Sequence, residues 1–207
     1  MLTRAGVTTV VEWGLAAERM PGETALGDQA TVIALPRRAL IGVVDGAGHG
    51  RDAEQAANIA VNVIEHFPER TVTELMALCH DALRSTRGVV MSLASIDAAT
   101  STMTWVGVGD VETIVTHELP GAGFKPVPMI PQAGILGYRL PKLQPRTVQL
   151  TPGVTAVFAT DGVDIGFMHN LRPVGAPDRV AERILTAHGK GNDDALVLVA
   201  RYTGSGA

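Results

Sequence analysis

Two apolar runs, Ala30 to Leu35 and Ala39 to Val44, are separated by only Pro36-Arg37-Arg38, and a connection that short leaves antiparallel pairing as the way for both to enter one sheet. The pairing places Asp28, at the entrance of the first run, beside Asp45, at the end of the second. Carboxylates brought together raise each other's pKa unless something positive sits between them. Asp45 also opens the stretch Asp45-Gly46-Ala47-Gly48-His49-Gly50, which precedes a helical pattern. A carboxylate at a strand end, backed by glycines, suits a metal ion or a phosphate.

The rest of the chain reads as an alternation of strands and helices around this hairpin. Thr8 to Ala16 forms a first strand, and Glu18 to Gly27, with Pro21 and Gly22, a loop. Ala53, Ala56, Ala57, Ala60, Val63, Ile64 and Phe67 follow helical spacing until Pro68 interrupts. A second helix starts at a Thr71-x-x-Glu74 capping box and buries Val72, Leu75, Met76, Cys79, Ala82 and Leu83. Val89 to Ile96, Met103 to Val108 and Val111 to Thr116 predict an antiparallel meander. His117 to Arg146 holds six of the twelve prolines and predicts a long surface excursion, a candidate for substrate contact. Val154 to Thr160 is a strand ending at Asp161-Gly162, Asp178 to His188 a helix, and Ala195 to Tyr202 the closing strand. A chain of 207 residues, 46% hydrophobic, fits a single domain, residues 1 to 207.

Composition removes several function classes. The net charge of -4 comes from interspersed acids and bases, so the basic footprint of a nucleic-acid binder is missing. No apolar stretch approaches the roughly 18 residues of a membrane span, and no signal peptide is recognisable, so no membrane association is expected. The single cysteine, Cys79, cannot form an internal disulfide. It reads as a buried structural thiol in a protein of the reducing cytoplasm.

Aspartates recur at the strand boundaries: Asp28, Asp45, Asp110, Asp161 and the pair Asp193-Asp194. In antiparallel pairs the end of one strand lies beside the start of its neighbour, so all of them can meet at one sheet edge. Each alone is explained by the turn preference of Asp; together they point to a hard divalent cation with oxygen ligands, Mg²⁺ or Mn²⁺. A pair of such ions about 3.5 to 4 Å apart generates a nucleophile from water and stabilises both oxygens of a phosphoryl transfer. The glycines after Asp45 are alternatively a nest for phosphate, although neither G-x-x-x-x-G-K-[ST] nor G-x-G-x-x-G follows a strand. His49 is a candidate proton donor to a leaving alkoxide, and equally a residue that caps the glycine turn. The other histidines form no ligand cluster, Arg87 reads as structural, closing the preceding helix, rather than as a phosphate anchor, and Trp13 and Trp105 read as core residues.

With these motifs in order, the chain resembles the metal-dependent Ser/Thr protein phosphatases of type 2C, in particular the small bacterial stress-signalling branch typified by RsbX. The resemblance rests on Gly27-Asp28, Asp45 to Gly50, Arg87-Gly88, Gly107-Val108-Gly109-Asp110, Gly134-Ile135-Leu136-Gly137, Thr160-Asp161-Gly162 and Asp193-Asp194-Ala195. It implies an α+β fold, a four-layer α-β-β-α sandwich with two central antiparallel sheets, and two Mn²⁺ or Mg²⁺ ions at one end. It implies that Asp45 bridges the ions, that the Gly46 carbonyl completes one site, that Asp161 and Asp193 hold the other, and that Asp28 acts through water. Asp194 is the alternative to Asp193. Asp110 corresponds to a third, weaker site, which in relatives also uses an acid at the position of Ile165; here Asp164 stands one place early. The phosphate anchor is unassigned, with Arg19 a loose candidate. The implied activity is hydrolysis of phosphoserine and phosphothreonine without a phospho-enzyme, on a phosphorylated regulatory protein of a stressosome or anti-sigma, partner-switching pathway. The rival readings are a catalytically inactive binding module on the same scaffold and a small phosphate-ester hydrolase.

Overall fold

The structure, a computed structural model, describes residues 1–119, 123–169 and 171–204. In chain order its elements are β1 (Leu2–Val7), β2 (Val11–Glu18), β3 (Asp28–Leu35), β4 (Arg38–Gly46), α1 (Arg51–His66), α2 (Val72–Ala82), β5 (Val89–Asp97), β6 (Thr102–Val108), β7 (Glu112–Leu119), β8 (Gly123–Met129), β9 (Arg146–Gln149), β10 (Thr155–Ala159), a 3₁₀ turn at Ile165–Met168, α3 (Pro177–His188) and β11 (Ala195–Tyr202). They form two antiparallel sheets, one in the order β3-β4-β5-β6-β9 and the other β1-β2-β11-β10-β7-β8.

Strand periodicity explains why the sheets stack. Along β4, Ala39, Ile41 and Val43 enter the core between the sheets, while Leu40 and Val44 face α1 and α2. Along β11, Leu196, Leu198, Ala200 and Tyr202 point into that same inter-sheet core, and Ala195, Val197 and Val199 pack under α3. Strands buried on both faces carry unbroken apolar runs, which is why β4 and β11 read as continuous hydrophobic segments. The result is the expected four-layer order, α1 and α2 over one sheet, α3 over the other.

The helices close tightly because small residues face them. α1 turns Ala53, Ala56, Ala57, Ala60 and Ile64 inward, and a Cβ at Gly46 would collide with the Ala53 backbone, so α1 sits directly on the end of β4. α2 starts with the expected capping box: Thr71 Oγ1 accepts from Glu74 N–H at 3.3 Å, and Glu74 Oε2 accepts from Thr71 N–H at 2.9 Å. Cys79 is buried against α1, its Sγ 3.7 Å from Ala60 O, and burial pushes its thiol up to about 12, which leaves it inert as a nucleophile.

Four expectations are corrected. The N-terminus is a hairpin, because β1 precedes β2; β1 is an edge strand with mostly exposed side chains and therefore carries little apolar signal. The meander breaks after β6, since β7 crosses to the other sheet and pairs with β10. Asp110 thus lies where the chain passes between sheets rather than at a hairpin tip. The excursion from His117 to Arg146 is partly strand: β8 pairs with β7, Ile114 opposite Pro128 and Thr116 opposite Pro126. Both prolines share one parity on an edge strand, so their missing N–H groups fall on the side without a neighbour. Residues 120–122 of that excursion lie outside the described residues, and so does its Gly121. Trp105 is a core residue, whereas Trp13 is only half-buried against the core rim.

Candidate active site

The hairpin register sets Asp28 directly opposite Asp45, the last paired residues of β3 and β4 before the glycine loop. From the other sheet, β10 ends at Ala159 and hands Thr160 and Asp161 to the same edge, while Asp193 and Asp194 precede β11. The Thr160 hydroxyl ties the two sheets together: it accepts from Leu196 N–H at 2.8 Å and donates to Asp28 Oδ2 at 2.7 Å. A residue 132 positions away in sequence therefore fixes the orientation of the Asp28 carboxyl.

The two acids of the Asp193-Asp194 pair differ sharply. Asp194 is 3% exposed, and both its carboxylate oxygens are engaged by backbone, Oδ1 by Met20 N–H and Oδ2 by Gly27 N–H, each at 2.7 Å. It pins the 19–27 segment against β11. Asp193 is half-buried and accepts only its neighbour's N–H, at 2.9 Å through Oδ1. Gly162 allows this crowding, since a Cβ there would collide with Asp194 O.

These acids act on one another. Burial, opposed by the Thr160 hydrogen bond and reinforced by Asp194, Asp161 and Asp193, pushes Asp28 up to about 8. Burial together with Asp28, Asp161, Asp110 and Asp193 pushes Asp45 up to about 9. Asp161, at the exposed rim, is raised by burial, Asp110 and Asp193 and lowered by Lys190, whose ammonium donates to the Asp161 carbonyl at 2.6 Å. Asp28, Asp45, Asp161, Asp193 and Asp110 are thus brought together. Asp164 is not: its Oδ1 accepts from Gly166 N–H at 2.8 Å, capping the 3₁₀ turn.

The donor set is all oxygen and strongly acidic, and no cation ranks among the groups acting on Asp28 or Asp45. Among the described residues no three His, Cys, Asp or Glu side chains already stand close enough to form a ligand cage. An open carboxylate set of this kind, with no cation acting on its central pair Asp28 and Asp45, fits a hard divalent cation that keeps several of its waters.

His49, exposed in the glycine loop, is held by a residue the sequence reading passed over. Its Nδ1 lies 2.6 Å from Glu23 Oε1, which leaves Nε2 free. Glu23 and Lys190 carry no local sequence signal, and Thr160, though part of the Thr160-Asp161-Gly162 motif, gives no hint there of its bond to Asp28. Arg19 donates to Thr24 O at 3.4 Å within its own loop. Arg87 pairs with Asp52 in the first turn of α1 at 3.0 Å.

Residues 36–203 match the family profile of Stage II sporulation protein E (SpoIIE). No curated protein sequence matches the chain. Among solved structures, one from work on the bacterial stressosome, "a modular system that has been adapted to control secondary messenger signaling", is 28% identical, covers 92% of this chain and 99% of its own, and superposes with a TM-score of 0.82. RsbX in complex with magnesium is 18% identical, with 98% and 100% coverage and a TM-score of 0.84. The PP2C phosphatase domain of SpoIIE from Bacillus subtilis with a fragment of its regulatory domain is 18% identical, with 97% and 70% coverage and a TM-score of 0.76. No helix among the described residues is long and apolar enough to cross a membrane.

Proposed function

Because this chain belongs to the SpoIIE family of PP2C-type serine/threonine protein phosphatases, we propose that it dephosphorylates a regulatory protein of a stressosome or partner-switching pathway, with Asp45 at the centre of a two-ion site. The observation that carries the reading is the Asp28–Asp45 cross-strand pair, held among Asp161, Asp193 and Asp110, whose charges all resist ionisation of Asp45. The stressosome and RsbX likenesses support the choice of pathway.

Two Mn²⁺ or Mg²⁺ ions would be held by Asp45, the Gly46 carbonyl, Asp161 and Asp193, with Asp28 acting through water, and would supply a nucleophile near neutral pH and charge neutralisation for phosphoryl transfer. Asp193 takes the role rather than Asp194, since both Asp194 oxygens already accept backbone N–H groups. Asp110, exposed at the crossover, is in place for a third, weaker ion. Thr160 holds Asp28 in one orientation. Glu23 fixes the His49 ring through Nδ1, so that a proton on Nε2 can pass to the departing Ser or Thr oxygen. Of the segment from His117 to Arg146, the part around Gln132 lies beside this end: Gln132 exchanges backbone hydrogen bonds with Gly107 and Gly109, at 2.9 Å each, next to Asp110. It exposes Ile130 and Tyr138 and serves as the protein-substrate contact.

The deciding experiment is Mn²⁺-dependent hydrolysis of a phosphoprotein by wild type and Asp45→Asn; an unchanged rate in the variant would falsify the mechanism. Tyr138→Ser is expected to impair phosphoprotein turnover several-fold more than turnover of a small aryl phosphate, and equal loss would remove the segment from substrate recognition.

A further inference from the structure

Arg87 ends the turn between α2 and β5, and its neighbour Gly88 is bonded to the aspartate loop: Ala47 N–H donates to Gly88 O at 3.0 Å. The Arg87 backbone is therefore fixed relative to Asp45, two residues before Ala47. Its side chain crosses the loop at Gly48, where a Cβ would stand 3.2 Å from Nη1 and where φ is +85°. Glycine at 48 leaves the guanidinium lying over the loop backbone.

The other contact of the guanidinium is Asp52, at 3.0 Å, with side chains 55% and 64% exposed. An ion pair that open contributes little by itself and exchanges readily. Arg87 and Asp52 line a cleft of about 380 Å³ together with Gln55, Ile59, Ser85 and Thr86, so an anion has room to reach the fork. The Lys190 ammonium, by contrast, is already engaged by the Asp161 carbonyl. A phosphate dianion approaching a ring of carboxylates needs a cation free to turn toward it, and a planar guanidinium matches two phosphate oxygens at once.

We infer that Arg87 is the substrate-anchoring residue for the phosphate, exchanging Asp52 for the phosphate oxygens when substrate arrives. Asp52 holds the guanidinium in readiness and competes with the substrate for it. This rests on the phosphatase reading above.

The anchor and a structural tie between α1 and the β5 turn predict different patterns. For an anchor, Arg87→Ala weakens binding of inorganic phosphate to the Mg²⁺-loaded protein by about 10-fold, the size of one exposed charge-assisted contact. It raises KM for a phosphoprotein by a similar factor with kcat little changed, and Arg87→Lys recovers part of the loss. Asp52→Asn does the opposite, tightening phosphate and lowering KM, because the competitor is gone. For a structural tie, Arg87→Ala and Asp52→Asn shift binding and melting temperature in the same direction. Calorimetric phosphate titration and KM-against-kcat kinetics on all four proteins give the answer: opposite signs establish the anchor, and equal signs or unchanged phosphate binding in Arg87→Ala overturn it. If the wild type hydrolyses no phosphoprotein, the phosphatase reading fails, while the phosphate titration still decides the role of Arg87.

Discussion

Replacing Asp45 by Asn should make the metal-free protein more stable while destroying its response to metal. Asn keeps the shape of the side chain and removes the charge that burial, Asp28, Asp161, Asp110 and Asp193 all resist. Asp45 is half-buried and shares its repulsion with Asp28, so neutralising it relieves about one to two pH units of mutual shift, or about 1.4 to 2.7 kcal/mol at 1.36 kcal/mol per unit. For a chain of this size each kcal/mol moves the melting temperature by about 2–4 °C, so the variant in EDTA at pH 8 is expected to melt about 3–10 °C above wild type. Below about pH 4, where the carboxyls of the unfolded wild type hold protons too, the difference should shrink toward zero. Mn²⁺ reverses the order: a ligand at about 100 times its Kd adds about 2.7 kcal/mol to wild type and nothing comparable to the variant. The measurement is thermal unfolding of both proteins with EDTA and across a Mn²⁺ titration. A variant less stable than wild type in EDTA at pH 8 would show that Asp45 is not a point of repulsion, and undiminished Mn²⁺ stabilisation would show that it is not a ligand.

Wild type itself should lose stability as pH rises without metal. Folded Asp28 and Asp45 sit at about 8 and about 9 against 3.8 for the free group, so between about pH 4 and pH 8–9 the folded state holds protons the unfolded state has released, and stability falls by up to about 1.4 kcal/mol per pH unit for each proton so held; a flat or rising profile in EDTA denaturation refutes the arrangement. Asp194→Ala, which frees the half-buried Met20 and the buried Gly27 N–H groups, should cost about 2–4 kcal/mol in chemical denaturation, whereas Asp193→Ala should leave metal-free stability nearly unchanged and lose Mn²⁺ binding; the reverse outcome exchanges their roles. Glu23→Gln weakens the grip on His49 and should reshape the pH profile of kcat more for alkyl phosphates than for aryl phosphates, whose leaving group needs no proton; identical changes on both remove His49 from proton transfer.

The β3–β4 hairpin was legible in the sequence because its three-residue connection leaves one pairing, and that pairing alone places Asp28 opposite Asp45. The α2 cap was legible for the same reason, since Thr71 and Glu74 interact within one turn. What failed was everything that depends on which sheet a strand joins. β7 carries the same apolar pattern as β5 and β6, and nothing in that pattern says that it pairs with β10 instead. The edge strands β1 and β8 escaped for a related reason: an edge has one neighbour, so it tolerates exposed side chains in β1 and prolines in β8. At the site, the sequence supplied the acids but not their partners. Asp193 and Asp194 are chemically identical, and only the remote N–H groups of Met20 and Gly27 tell them apart.

The carboxylates come from both sheets, Asp28 and Asp45 from one and Asp161 and Asp193 from the ends of strands in the other. Their spacing is therefore set by the layer of Ile41, Val43, Leu196, Leu198 and their neighbours that holds the sheets apart, with the Thr160 hydroxyl as the bonded cross-tie. Before the sheets dock, Asp45 has only Asp28 beside it through local pairing, and docking forces further acids toward both. The metal-free site thus opposes docking of the sheets, and a divalent cation bound there would turn the same convergence into a stabilising one. Fold and cofactor are coupled through one geometric variable, the separation of the two sheets at their acidic edge, which is why residues with no polar atoms and no contact with substrate help to define the active site.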